Sequence, residues 1–96
     1  MAIWFKEYAL AEINALSAGN LGEYLGIEFT EIGENTLVAR MPVAARVHQP
    51  FGVLHGGASV ALAEHLGSIA GNLCVNQERQ VCVGQEINAN HLRPVR

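Results

Sequence analysis

No aspartate occurs anywhere in the 96 residues, and all nine acidic residues are glutamate. That absence removes the acidic member of a Ser-His-Asp triad. The near-match to a nucleophile elbow at Gly57-Ala58-Ser59-Val60-Ala61 also lacks the second glycine, so serine hydrolysis is discounted. Basic residues are few and scattered: Lys6, Arg40, Arg46, Arg79, Arg93 and Arg96. They form no nucleic-acid footprint. The two cysteines, Cys74 and Cys82, have no CxxC or zinc-like spacing and read as reduced thiols of a cytoplasmic protein. Cys74 also lies near a helix end whose dipole disfavours a thiolate nucleophile. Four histidines occur without an HxxxH or HxH pair, so no metal site is expected. P-loop and GxGxxG motifs are absent, and no cofactor is expected. No uncharged apolar run reaches about 18 residues, and residues 1–10 lack the apolar core of a secretion signal, so no membrane association is expected.

What is present is apolar. Half of the residues are hydrophobic and only 16% are charged. A chain this short leaves much of its surface exposed, so the low charge points to apolar surface covered by another subunit. One domain, residues 1–96, is the only sensible count.

The spacing of Ala9, Leu10, Ile13 and Leu16 predicts a helix over 8–18, ended by Gly19-Asn20, with a short turn through 21–25. Residues 26–32 and 36–42 alternate apolar and polar around Gly33-Glu34-Asn35, which predicts a β-hairpin. A loop over 43–55 leads to an apolar helix that opens at His55-Gly56-Gly57 and runs to about Leu73. Apolar and small residues occur all round it, so this helix is expected to be buried. Residues 80–91 alternate, with Val81, Val83, Ile87 and Ala89 on one face, which predicts a long strand. Three strands cannot wrap a helix of about 27 Å, so the domain reads as incomplete at Arg96.

Chemistry concentrates in residues 48–71. Gly56 and Gly57 stand where a helix begins. There the backbone N–H groups lack intrahelical partners and the dipole is positive, and glycine allows close approach. That combination suits a developing oxyanion, although Gly-Gly can equally make a tight turn. Glu64 is the only acid within an apolar run, and a carboxylate so placed must be paired, protonated or functional. It can attack an acyl carbonyl or act as base on water. Ser68, at i+4, shares the Glu64 face, and a hydroxyl there can position water or bond its own helix. Gln49 and His55 flank the helix entrance. Gly56 and Glu64 are about 12 Å apart along the axis. That is long for one site, and it points to Gly56 of one subunit serving Glu64 of a second.

The run Gln49-Pro50-Phe51-Gly52-x-Leu54-His55-Gly56-Gly57-Ala58-Ser59, continuing to Ala63-Glu64, with Glu86-Ile87-Asn88-Ala89-Asn90-His91, resembles the hotdog-fold acyl-CoA thioesterases of the phenylacetate-pathway type. The resemblance covers essentially the whole chain. It implies an α+β fold, an antiparallel sheet wrapped around a long central helix, continuing beyond Arg96. It implies homodimers or homotetramers with shared sites, acting on an acyl-CoA or acyl-carrier-protein thioester of an aromatic or hydroxyaromatic acid. It maps the catalytic acid onto Glu64, the oxyanion donor onto the Gly56 N–H, and supporting roles onto Gln49, His55 and Ser68. Phe51, His91 and Arg93 would line the acyl or pantetheine pocket. Two rivals stay open, a non-catalytic acyl-CoA-binding or assembly module and a hotdog hydratase. The hydratase needs a histidine beside the acid, and His65 points about 100° away from Glu64 on a helix.

Overall fold

The computed structural model describes all residues from Met1 to Arg96. Its elements are α1 (Leu10–Ala15), α2 (Leu21–Leu25), β1 (Glu28–Ile32), β2 (Leu37–Arg40), a 3-10 turn over Ala45–Val47 and α3 (Gly56–Leu73). The long helix and the hairpin lie where the sequence spacing places them.

α1 is shorter than expected. The Glu12 carboxylate reaches back to the Ala9 N–H at 3.3 Å and holds its start. Asn20 serves both helices: its Nδ2 donates to Leu16 O, the C-cap of α1, at 2.8 Å, and its Oδ1 accepts from Gly22 N at 3.1 Å and begins α2. Residues 21–25, expected as a turn, therefore wind into a five-residue helix, closed by Gly26 at φ 76°.

β1 and β2 pair antiparallel, with Ile32 opposite Leu37 and Phe29 opposite Ala39. A bulge lies between Phe29 and Glu31. Phe29 and Ile32 are three apart and would face opposite sides of a regular strand. The extra residue reverses the phase, so both join Leu37 and Ala39 on the face that meets α3.

Two small cores result. Ile13, Phe29 and Leu73 form one, under Trp4, Tyr8, Leu66 and Ile69. Leu25, Ile27 and Val47 form the other, against Leu54, Ala58, Ala61 and Leu62. The inner face of α3 is thus Ala58, Ala61, Leu62, Leu66, Ile69 and Leu73. His65 belongs to the same side. Its Nε2 lies 3.0 Å from Ser17 Oγ and its ring centroid 5.9 Å from that of Phe29. A Cβ on Gly22 would sit 2.7 Å from that ring, so only glycine fits there.

Two expectations need correction. α3 is not buried all round: Leu73 is its only fully buried residue, and Gly57, Ala63, Glu64 and Gly67 are exposed. Two strands cover one side of a helix; on the other the chain supplies only the contacts of Cys82 and Gly84 with Glu64, Ser68, Gly71 and Asn72. Residues 80–91 are not a strand. A strand needs a neighbouring backbone to pair with, and the hairpin lends no edge to this segment. Val81 and Val83 stand exposed.

Two predictions follow from this packing. Asn14 bridges α1 to β1, accepting from Phe29 N at 2.7 Å and donating to Phe29 O at 3.0 Å. Asn14→Ala should cost about 1–3 kcal/mol in urea unfolding, since it strips both partners from a half-buried backbone. The second prediction concerns Lys6 and Glu12, paired at 2.9 Å on the surface. The Lys6 ammonium, then the Ala9 N–H, holds the Glu12 carboxyl below its usual range. A lowered folded-state value gives stability that is present at neutral pH and lost as pH falls through it. The difference in urea midpoint between wild type and Glu12→Gln should be small, present at pH 7, and vanish in acid.

Candidate active site

The loop between β2 and α3 folds back on itself before the helix starts. Gln49 N donates to Val53 O at 2.9 Å, and His55 N to Val47 O at 2.7 Å. Gly52 makes the turn at φ 78°. Phe51 sits at the tip, 87% exposed. The Gln49 side-chain oxygen accepts from Phe51 N, which leaves the Gln49 –NH2 without a protein partner.

His55 is the N-cap of α3, and its Nδ1 accepts from Gly57 N at 2.9 Å. A ring nitrogen that accepts carries no proton, so the other ring nitrogen holds it. His55 O takes the next amides, Ala58 N at 2.9 Å and Ser59 N at 3.4 Å. The first-turn donors are therefore all used except one: Gly56 N donates to nothing in the chain. Capping leaves a single free N–H at the positive end of an 18-residue helix.

The C-terminal segment returns to that free amide. Leu54 N donates to Val95 O at 2.7 Å and pins the segment there. A Cβ on Gly56 would lie 2.9–3.1 Å from the His91 ring, so the close approach needs glycine. Gln49, Gly56, His91 and Arg93 line one cleft of about 370 Å³, together with Ser59 and Leu54. Four of the eight expected site residues thus meet in one place. His55 adjoins it through the cap, whereas Phe51 points away at the loop tip.

Glu64 and Ser68 lie outside this cleft. Glu64 is exposed, not enclosed as its apolar neighbours in sequence suggest, because it belongs to the uncovered flank of α3. Its Oε2 accepts from Gly84 N at 3.2 Å. Ser68 Oγ donates to Cys82 O at 3.3 Å rather than to Glu64 or its own helix. Asn72, one turn on, accepts from Cys82 N at 2.8 Å and donates to Cys82 O at 2.8 Å and to Ser68 O at 2.8 Å. Asn72 went unremarked in the sequence, although Glu64, Ser68 and Asn72 fall at i, i+4 and i+8 on an otherwise apolar helix. Ser59, also missed, carries no comparable signal. His65, spent on Ser17 and Phe29, leaves no histidine beside Glu64 for hydratase chemistry.

A second cavity, about 600 Å³, lies between the N-terminal segment and α1, lined by Phe5, Lys6, Tyr8, Glu12 and Leu16. Lys6 and Glu12 in its lining pair with each other, and it holds none of the expected site residues. No three His, Cys, Asp or Glu side chains gather where they could hold a metal.

The capping role of His55 is separable from chemistry. His55→Ala should cost about 0.5–2 kcal/mol in thermal or urea unfolding, and His55→Asn should restore most of it, asparagine being among the best N-caps.

Comparison with known proteins agrees with this geometry. Residues 51–96 match the thioesterase superfamily. The chain is 54% identical over 94 residues to the 1,4-dihydroxy-2-naphthoyl-CoA hydrolase of Escherichia coli, covering 98% of this chain and 68% of the relative. It is 55% identical over 93 residues to the proofreading thioesterase EntH of Cronobacter turicensis, covering 97% and 67%. Among solved structures, a thioesterase from Haemophilus influenzae superposes with a TM-score of 0.91 at 53% identity, covering 98% of this chain and 65% of that one. A mutant thioesterase from Pseudomonas aeruginosa gives 0.94 at 49% identity, covering 99% and 68%. The chain spans about two thirds of the length of these relatives. By sequence identity over nearly its whole length and by structural superposition, the chain belongs to the hotdog-fold thioesterase superfamily.

Proposed function

We propose that this chain hydrolyses an acyl-CoA or acyl-carrier-protein thioester, and that the acyl group is aromatic or hydroxyaromatic. The observation that carries the reading is the unpartnered Gly56 N–H at the start of α3, beside Gln49, His91 and Arg93. A thioester carbonyl placed there accepts from Gly56 N as negative charge develops on its oxygen. The Gln49 –NH2 is free to donate to the same substrate. Arg93 offers a cation to a phosphate or carboxylate of the thioester's carrier. Glu64 takes a proton from a water that attacks the carbonyl carbon, or attacks that carbon itself to form an anhydride. The C–S bond breaks, and the thiolate leaves and takes up a proton. On the second route water then hydrolyses the anhydride, so that the acid is released and Glu64 restored. The aromatic substrate class rests on the E. coli relative, whose name gives it a dihydroxynaphthoyl-CoA substrate.

Within one chain the acid is about 12 Å along the helix from the donor. We therefore assign the Glu64 that serves each Gly56 to a second copy. The uncovered side of α3 supports this: Ala63 and Gly67 flank the exposed Glu64 with little bulk, which permits close approach of a like helix. A two-fold axis there makes two equivalent sites in a homodimer.

Thiol release from a panel of acyl-CoAs tests the activity, with aryl thioesters expected to be turned over fastest. Glu64→Gln should lower kcat by about 10²–10⁴ with folding intact; near-normal turnover rejects the mechanism. Gly56→Pro removes the donor, and its Cβ displaces the His91 ring, which stands 2.9–3.1 Å from that position. Proline is favoured at the first helical position, and His55 at ψ 124° already has the backbone a following proline requires. It should cost about 10²–10³ in kcat. Mixing the two inactive variants should return activity through heterodimers that carry one intact site; no recovery rejects sharing.

A further inference from the structure

Residues 82–84 have no strand beside them, yet Cys82 N, Cys82 O and Gly84 N all find partners on one helix. Asn72 spans Cys82 on both sides, Oδ1 taking its N–H and Nδ2 its carbonyl, each at 2.8 Å. A side-chain amide paired in this way imitates the two-bond exchange of a strand partner. Ser68 adds a second bond to the same carbonyl, at 3.3 Å. The Cys82 side chain settles over Gly71, where a Cβ would be 3.1 Å away. Two residues on, Gly84 N reaches Glu64 Oε2 at 3.2 Å. A Cβ on Gly84 would meet the Glu64 carboxylate at 2.3 Å and its Cγ at 3.0 Å, so the segment lies directly on the acid.

We propose that Asn72 is a positioning residue for Glu64: by clamping Cys82 it fixes the Gly84 amide, and that amide holds the carboxylate in one orientation. This rests on the reading of Glu64 as the reacting acid. An exposed glutamate otherwise samples several rotamers. A hydrogen bond from a fixed amide selects one of them and leaves the second carboxylate oxygen free to react. Ser68 alone cannot set the register, because it touches only the carbonyl of Cys82. Asn72 contacts both backbone groups, and only such a two-point grip fixes where the next amides fall. The substrate cleft at Gly56 is lined by none of these residues, so binding should be untouched.

The test compares wild type, Asn72→Ala, Asn72→Asp and Glu64→Gln in steady-state thiol release and in amide exchange followed by NMR. In Asn72→Ala, exchange at Cys82 and Gly84 should accelerate while the amides of α3 and the hairpin stay protected. Its kcat should fall about 10- to 100-fold, as expected for misplacement of a reacting group by an ångström or so, with KM within about twofold. Asn72→Asp keeps the acceptor for Cys82 N and loses both donors, so it should fall between. It carries the comparison if Asn72→Ala shows no cooperative melting transition. Wild-type kcat in Asn72→Ala, or unchanged exchange at Gly84, overturns the proposal. A matched rise in KM does so too, since it marks a binding role. If Glu64→Gln is as active as wild type, the thioesterase reading fails first and takes the proposal with it, a result distinct from all the others.

Discussion

Helix α3 has apolar or small side chains on every side, and the chain provides cover for one of them. Ala58, Ala61, Leu62, Leu66, Ile69 and Leu73 pack toward the hairpin and the two short helices. On the opposite side Gly57, Ala63, Glu64 and Gly67 remain exposed, met only by the Gly84 amide on Glu64. Burying apolar area is worth roughly 25 cal/mol per Å², so this side gains by meeting another surface. The same asymmetry sets the site. Its donor is at the tip of the helix, while its acid is halfway along the uncovered flank.

The start of α3 works by subtraction. A helix presents several first-turn amides, and anything bound there would otherwise be held diffusely. His55 takes Gly57 with its ring and Ala58 with its carbonyl. One donor is left, beside a glycine that the His91 ring approaches closely. The capping histidine thus stabilises the helix and at the same time decides which amide faces the cleft.

Much of this was legible in residue order. The helix over 56–73 and the hairpin with its turn follow from periodicity and glycine placement. Less legible were features that depend on competition between partners. Asn20 has the chemistry to end one helix or begin the next, and with Leu16 O and Gly22 N both within its reach it does both. The bulge after Phe29 leaves no mark in composition, because it exists to bring Ile32 onto the helix-facing side. Residues 80–91 alternate as a strand does, but a strand is a relation between two backbones, and the alternation of one says nothing of the other.

By itself the sequence determined the elements that follow from local physics: where the hairpin turns, where the long helix begins, and that this helix carries one acid, Glu64. It also determined that the chain has no aspartate. Only the tertiary structure decided that Glu64 faces outward, that Ser68 and Asn72 grip Cys82, and that the tail brings His91 and Arg93 back to Gly56. Those arrangements join residues far apart in the chain. Their energies depend on which groups remain unpaired once the core has formed, and no local pattern records that.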